Sequence, residues 1–140
     1  MVGAIVLAMK NGISIKESLD AIFSFPGVKR RTELIGIAKG ISIYDDYGHH
    51  PTEMNATISS LKKITKNKLY VVFQPHRYSR TKEYFNLFKD SLAQSDFSIV
   101  TDIYPAGEDP IPGISSKNFE GENIKSVSYT HLTLPTKRIV

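Results

Sequence analysis

Three short apolar runs recur along the chain at nearly even intervals. They centre near residues 43, 71 and 99, and a stretch with helical spacing separates each from the next. Parallel strands need a crossover of about a dozen or more residues, which a helix supplies, so this alternation predicts βαβ units and a parallel sheet. The expected fold is α/β, a mostly parallel sheet with flanking helices. The middle run, Leu69-Tyr70-Val71-Val72-Phe73, carries no charge and reads as a strand buried on both faces.

The segments around these runs have their own punctuation. Gly3 to Lys10 reads as the back half of an apolar helix that Asn11-Gly12 ends. It starts without a cap, as a chain cut from something longer would. Ser14-Ile15-Lys16-Glu17 is a capping box, after which Ile15, Leu19, Ile22 and Phe23 share a helical face until Pro26-Gly27. Thr32 to Ile37 alternates as a strand, and Lys39-Gly40 turns into Ile41–Asp45. Pro51 suits the first position of a helix whose buried stripe is Met54, Ile58 and Leu61. A further helix, from about Thr81, places Phe85, Phe88 and Leu92 on one side, and Phe97 to Val100 is another short strand. After Gly113 the pattern weakens, and Ser115 to Ile124 has room for one short helix. From Val127 to Val140 no period is sustained, and this stretch, His131 included, is set aside as a non-native read-through tail.

In a parallel sheet the C-terminal strand ends share one edge, and ligands of open α/β sheets bind there. Asp46 to His50, His76 to Arg80 and Asp102 to Glu108 should therefore converge on one rim. The string His76-Arg77-Tyr78-Ser79-Arg80 follows the middle strand directly. Two guanidiniums at a strand end favour an anionic ligand, because their planar fork matches carboxylate or phosphate. The plain alternative is a solvated basic turn with Arg80 in a surface ion pair. Asp45-Asp46 has three readings: oxygen ligands for Mg2+, a hydrogen-bonding partner for ribose, or turn and cap residues. His49-His50 invites zinc, but zinc needs three or four ligands and no third stands at helical or loop spacing. His50, directly before Pro51, serves equally as a helix cap. Lys29-Arg30-Arg31 is by itself a solvated basic patch.

Composition removes several classes. Net charge is +4, with Lys and Arg scattered rather than clustered on one face as a nucleic-acid footprint requires. The absence of cysteine excludes disulfides and thiolate metal sites, and suits a reducing compartment. No apolar run approaches the roughly 20 residues of a membrane helix, and Met1 to Met9 lacks the basic region and cleavage site of a signal peptide. There is no Gly-rich phosphate loop and no nucleophile elbow. A free-standing, non-catalytic anion-binding module is the alternative to an enzyme domain on these grounds.

Four ordered motifs go further: Gly27-Val28-Lys29-Arg30-Arg31, Tyr44 to Glu53, Val72 to Thr81, and Asp102 to Glu108. In this order and spacing the chain, from about residue 2 to residue 126, resembles the C-terminal domain of the Mur ligase family, which implies a Rossmann-like sheet, truncated here at its C-terminal end. The resemblance implies an ATP-dependent carboxylate–amine ligase of bacterial peptidoglycan biosynthesis. Such a cytoplasmic enzyme forms an acyl phosphate and holds ATP and Mg2+ mainly in a central domain. The His76–Arg80 string favours the member joining L-alanine to UDP-N-acetylmuramate over the one attaching a whole tripeptide during recycling. The resemblance places Arg31, Asp46 and His50 at ATP and His76, Arg77 and Arg80 at the amino-acid substrate. It makes residues 1–26 the helical end of the ATP-binding domain, residues 27–126 an incomplete amino-acid-binding domain, and 127–140 the tail. It implies no metal ligand within this stretch, no membrane or nucleic-acid partner, and no turnover by these residues alone.

Overall fold

The computed structural model describes residues 2–128; His131 and the rest of the tail beyond Ser128 lie outside them. The chain forms two compact units that meet in sequence between Asp46 and Tyr47.

The first unit holds α1 (Val2–Lys10), α2 (Ile15–Ser24), β1 (Glu33–Ala38) and β2 (Ile41–Asp45). Its capping box is formed in full. Ser14 Oγ accepts from the Glu17 amide at 3.2 Å, while the Glu17 carboxylate accepts from the Ser14 amide at 3.0 Å. The Ser14 hydroxyl also donates to Glu17, and these bonds hold its carboxyl below the usual range. The apolar face of α2 is present as expected but open: Phe23 is 86% exposed and Leu19 is also exposed.

β2 departs from the expected scheme. It was expected to run parallel with the strands near 71 and 99, but it pairs antiparallel with β1, from Ala38↔Ile41 out to Glu33↔Asp45. The reason is local. Lys39 and Gly40 both take positive φ, 51° and 79°, which is what a two-residue hairpin turn of the right twist demands. Two strands joined by so short a turn have no choice but to pair with each other.

The second unit holds α3 (Pro51–Ile64), β3 (Tyr70–Phe73), α4 (Tyr78–Glu83), α5 (Phe85–Leu92), β4 (Phe97–Thr101), a 3-10 turn (Ser116–Phe119) and β5 (Ile124–Val127). Here the α/β expectation is met. Three strands pair in the order β3-β4-β5, both pairings parallel. Pro51 opens α3 as its first residue, and His50 is its cap. The helix expected from about Thr81 begins earlier, at Tyr78, and breaks at Tyr84.

Register assigns the sheet's two faces. Val71, Phe73, Ser98, Val100 and Ile124 stand in rows on one side. Phe73, Val100 and Ile124 join Met54 and Ile58 of α3, Phe88 and Leu92 of α5, and Phe119 in one core. Leu61, expected in the α3 stripe, is only half-buried. Ser98 is buried in the inner row, where its hydroxyl donates to the Leu92 carbonyl at 3.2 Å and meets Ser95 Oγ at 2.8 Å. Phe119 stands against Phe85 and Phe73, with ring centroids 4.7 and 6.4 Å apart.

The opposite face overturns the expectation of a strand buried on both sides: Tyr70 is 62% and Val72 63% exposed. β3 lies at the edge of its sheet, and the described helices that bury it stand on one side only. The weak stretch after Gly113, with room for one short helix, holds a single 3-10 turn, then β5, whose Val127 pairs with Thr101.

Polar ties brace the end of the unit opposite the strand exits. Asp96 accepts from the Leu69 amide at 2.8 Å and from Lys62 Nζ at 2.6 Å. The amide bond first, then the lysine, hold its carboxyl below the usual range. Among the described residues no helix is long and apolar enough to cross a membrane.

Because Phe88 is fully enclosed by Phe73 and its neighbours, Phe88→Ala should destabilise the second unit by about 3–5 kcal/mol. Urea denaturation followed by circular dichroism measures it. A midpoint unchanged from the parent chain would contradict the packing.

Candidate anion site at the strand ends

β3 and β4 leave the sheet side by side. The Arg77 amide donates to the Tyr104 carbonyl and the Tyr104 amide to the Pro75 carbonyl, each at 2.8 Å. This pair continues the parallel register past both strands as a bridge between His76 and Tyr104. The His76 ring lies over the Tyr104 ring, 5.3 Å between centroids at 34°.

At Arg77 the chain must swing from an extended exit into α4. It does so at φ 76°, ψ 133°, a region that residues with a side chain rarely enter, at a cost on the order of 1–3 kcal/mol. Such a conformation persists only where the surroundings hold it. Here they do so through Glu108. Its carboxylate accepts from Arg77 Nε at 2.7 Å and from the Ser79 amide and hydroxyl at 2.9 and 2.6 Å, and it forms an ion pair with Arg77 Nη2 at 2.6 Å. Glu108 is aimed back at this turn by Pro105-Ala106-Gly107, where Ala106 and Gly107 take positive φ and the Glu108 amide bonds the Pro105 carbonyl. The Ser79 bonds first, and Arg77 with them, pull the Glu108 carboxyl from the usual 4.5 to about 2.

His76 and Arg80 are differently placed. Among the described residues, His76 Nδ1 and Arg80 Nη1 are buried side-chain atoms with no hydrogen-bond partner. Native proteins rarely leave such atoms unsatisfied without a functional reason. Burial, then the positive charge of Arg80 and the neighbouring His49 and Arg77, lower the His76 pKa, against a smaller opposing pull from Glu108. His76 is therefore a neutral imidazole at pH 7, with a lone pair to offer. The expected alternative of Arg80 in a surface ion pair is not met: no carboxylate among the described residues bonds it.

The remaining predicted residues divide. His50 uses Nδ1 to accept from the Thr52 amide at 3.3 Å, while Glu53 accepts from the His50 amide, so its imidazole caps α3. Its ring meets Tyr84 edge-on at 4.9 Å. His49, considered above only for zinc, adjoins His76 electrically and places Nδ1 3.2 Å from the Tyr47 carbonyl. Arg31 and Asp46 belong to the first unit. There Asp46 accepts from the Thr32 amide and hydroxyl at 2.8 and 3.2 Å, and Asp45 pairs with Arg30 Nε at 3.2 Å. Both carboxylates thus serve the hairpin end. Of the three expected clusters, 76–80 and 102–108 meet at one rim through Arg77, Tyr104 and Glu108.

What sequence reasoning missed is that Glu108 occupies Arg77. The signal was present in Pro105-Ala106-Gly107-Glu108, a turn delivering an acid opposite a basic string. Among the described residues no group of three or more His, Asp or Glu side chains is placed to hold a metal ion.

Fold and rim together define an α/β domain whose parallel strand ends carry an imidazole and a guanidinium, each with a buried atom that no described residue satisfies. Residues 30–131 match the family described as Mur ligase, glutamate ligase domain, and the chain belongs to that family. It is 50% identical over 115 residues to the UDP-N-acetylmuramate–L-alanine ligase of Geobacter sp. (strain M21), covering 81% of this chain and 25% of that protein. A crystal structure of the UDP-N-acetylmuramate-alanine ligase MurC from Thermotoga maritima superposes with a TM-score of 0.70 at 26% identity, over 89% of this chain and 27% of that one. The murein peptide ligase of Psychrobacter arcticus shares the fold, with a TM-score of 0.54 at 22% identity, over 88% of this chain and 27% of that one. The chain spans about a quarter of the length of the curated relatives it matches.

Glu108 sets an acid limit on stability. Its carboxyl ionises more readily in the folded chain than in the unfolded one. The stabilisation is therefore complete above about pH 4.5 and is lost as pH falls through the window down to about 2. Thermal melts across that range should show the loss, and Glu108→Gln should flatten it. An identical acid slope in the variant would refute the assignment.

Proposed function

We propose that this chain supplies the amino-acid-binding domain of an ATP-dependent ligase that joins L-alanine to UDP-N-acetylmuramate during bacterial peptidoglycan synthesis in the cytoplasm. The observation that carries this reading is the pair of unsatisfied buried atoms, His76 Nδ1 and Arg80 Nη1, at the exits of two parallel strands. The 50% identity to a relative bearing that name over most of the chain supports the choice of substrate.

The chemistry follows from the groups. The Arg80 guanidinium receives the α-carboxylate of the incoming alanine through charge-assisted hydrogen bonds. Neutral His76 is free to accept the proton that the ammonium must lose before the free amine can act as nucleophile. Holding that amine in place converts its attack on an acyl phosphate into an effectively unimolecular step. Arg31, exposed at the hairpin end of the first unit, suits a nucleotide phosphate; Asp46 of that unit and, separately, His50 of the second are the other residues proposed to face ATP. The described residues offer no set that fits Mg2+ on their own. Residues 1–26 belong on this reading to the nucleotide-binding part and 27–126 to the amino-acid-binding part; the boundary expected at 127 is drawn too early, since Val127 pairs with Thr101 in β5 and the family match reaches residue 131.

The tripeptide-attaching alternative makes a different demand. In a peptide the alanine carboxyl is already an amide, so an α-carboxylate grip has nothing to hold. L-alanine should bind the chain saturably in calorimetry or in NMR of the His76 ring, and L-alaninamide should not. Arg80→Ala should weaken L-alanine at least about tenfold, the scale of a lost hydrogen bond to a charged group. Equal binding of acid and amide would refute the alanine reading.

A further inference from the structure

Arg77 and Arg80 carry the same group three residues apart, yet the structure treats them differently. The Arg77 guanidinium is already forked onto Glu108 through Nε and Nη2. Among the described residues Arg80 has no such partner, and its Nη1 is buried without one. Glu108 in turn accepts three hydrogen bonds, one from Arg77 Nε and two from Ser79, and forms an ion pair with Arg77 Nη2 at 2.6 Å. These span Arg77, a backbone step whose φ of 76° and ψ of 133° a side-chain-bearing residue adopts reluctantly. The same step sets where His76 lies before it and where Arg80 projects one helical turn after it.

We infer that Glu108 is the positioning residue of this site, with Arg77 as its strut rather than a ligand contact, so that His76 and Arg80 alone meet the substrate. The inference rests on the reading of the site as an amino-acid site and adds a division of labour within it. A carboxylate built into the rim matches the ligand's own carboxylate in charge and shape. It satisfies Arg77 permanently and stops that residue from drawing the substrate away from Arg80. A second carboxylate beside Glu108 would also meet repulsion, which confines the substrate to the Arg80 side.

The two roles of Arg77 predict opposite signs. If Arg77 were a ligand contact, removing the competing carboxylate would leave alanine binding equal or tighter. If Glu108 positions, its loss lets the turn at Arg77 relax and weakens binding. Titration of the full chain with L-alanine should therefore give a Kd raised about tenfold in Glu108→Gln, the scale of losing a charged hydrogen-bond partner. Glu108→Asp, which keeps the charge one methylene short, should fall between parent and Gln variant.

The ring proton of His76, followed by NMR in ligand-free protein, gives a second readout. The charged groups facing that ring are Arg80, His49, Arg77 and Glu108. With the turn relaxed, the His76 titration should move up toward the ordinary 6.5. With the turn intact and only the charge lost, it should move down, because an attraction has gone and three cationic or titrating neighbours remain. Unchanged or tighter alanine binding in Glu108→Gln, or weaker binding with His76 titrating lower, overturns the inference. Should the Gln variant not fold, the Asp variant carries both readouts with the same signs. Failure of the parent chain to bind L-alanine would sink the functional reading alone, since the His76 titration needs no ligand.

Discussion

Parallel pairing of β3 with β4 is the constraint on which the second unit turns. Parallel strands must leave a sheet at the same edge, so the residues after Phe73 and after Thr101 become neighbours whatever their identity. The pairing continues for one more bridge, between His76 and Tyr104, which carries strand-like order beyond the sheet. Without it, Glu108 would have no fixed distance to Arg77. The core works to the same end from below. Phe73 and Val100, the inner residues nearest the exits, are both buried against α5 and the 3-10 turn, so the rim stands on packed side chains and not on loop alone.

Much of this was legible in the residues. Punctuation was the clearest layer: Ser14 with Glu17, and Pro51 after His50, announce helix starts through side-chain chemistry confined to a few neighbouring residues. The β3-α-β4 unit was legible too, because helical spacing in Phe85, Phe88 and Leu92 differs in period from the runs on either side. His76 and Arg80 could be picked out because basic groups follow directly on a charge-free strand.

What was not legible depended on partners distant in sequence. β5 reads Ile124-Lys125-Ser126-Val127, a pattern too short and polar to announce a strand; pairing with β4 makes it one. The continuous apolar run at 69–73 was read as doubly buried, since sequence reports affinity for cover and not whether cover is at hand. Tyr70 and Val72 have that affinity and stand exposed. The hairpin is the opposite case, a local signal under-used. Lys39-Gly40 between two alternating segments already implied antiparallel pairing, and the even spacing of 43, 71 and 99 obscured it.

The rim shows why counting charges misleads. From sequence, two arginines and a histidine read as a strongly cationic patch that would attract any anion. In the structure, one arginine is neutralised by Glu108, and burial with neighbouring cations keeps the histidine uncharged. The uncommitted charge is reduced to Arg80. A diffuse cationic patch draws anions in proportion to their charge, and would favour phosphates over a small amino acid. One guanidinium, an imidazole and a fixed carboxylate beside them would instead discriminate by arrangement: on the reading proposed above they accept one carboxylate, tolerate an amine, and oppose a second anion. On that reading, selectivity for a small zwitterion over phosphates arises by cancelling positive charge at the strand ends, not by adding it.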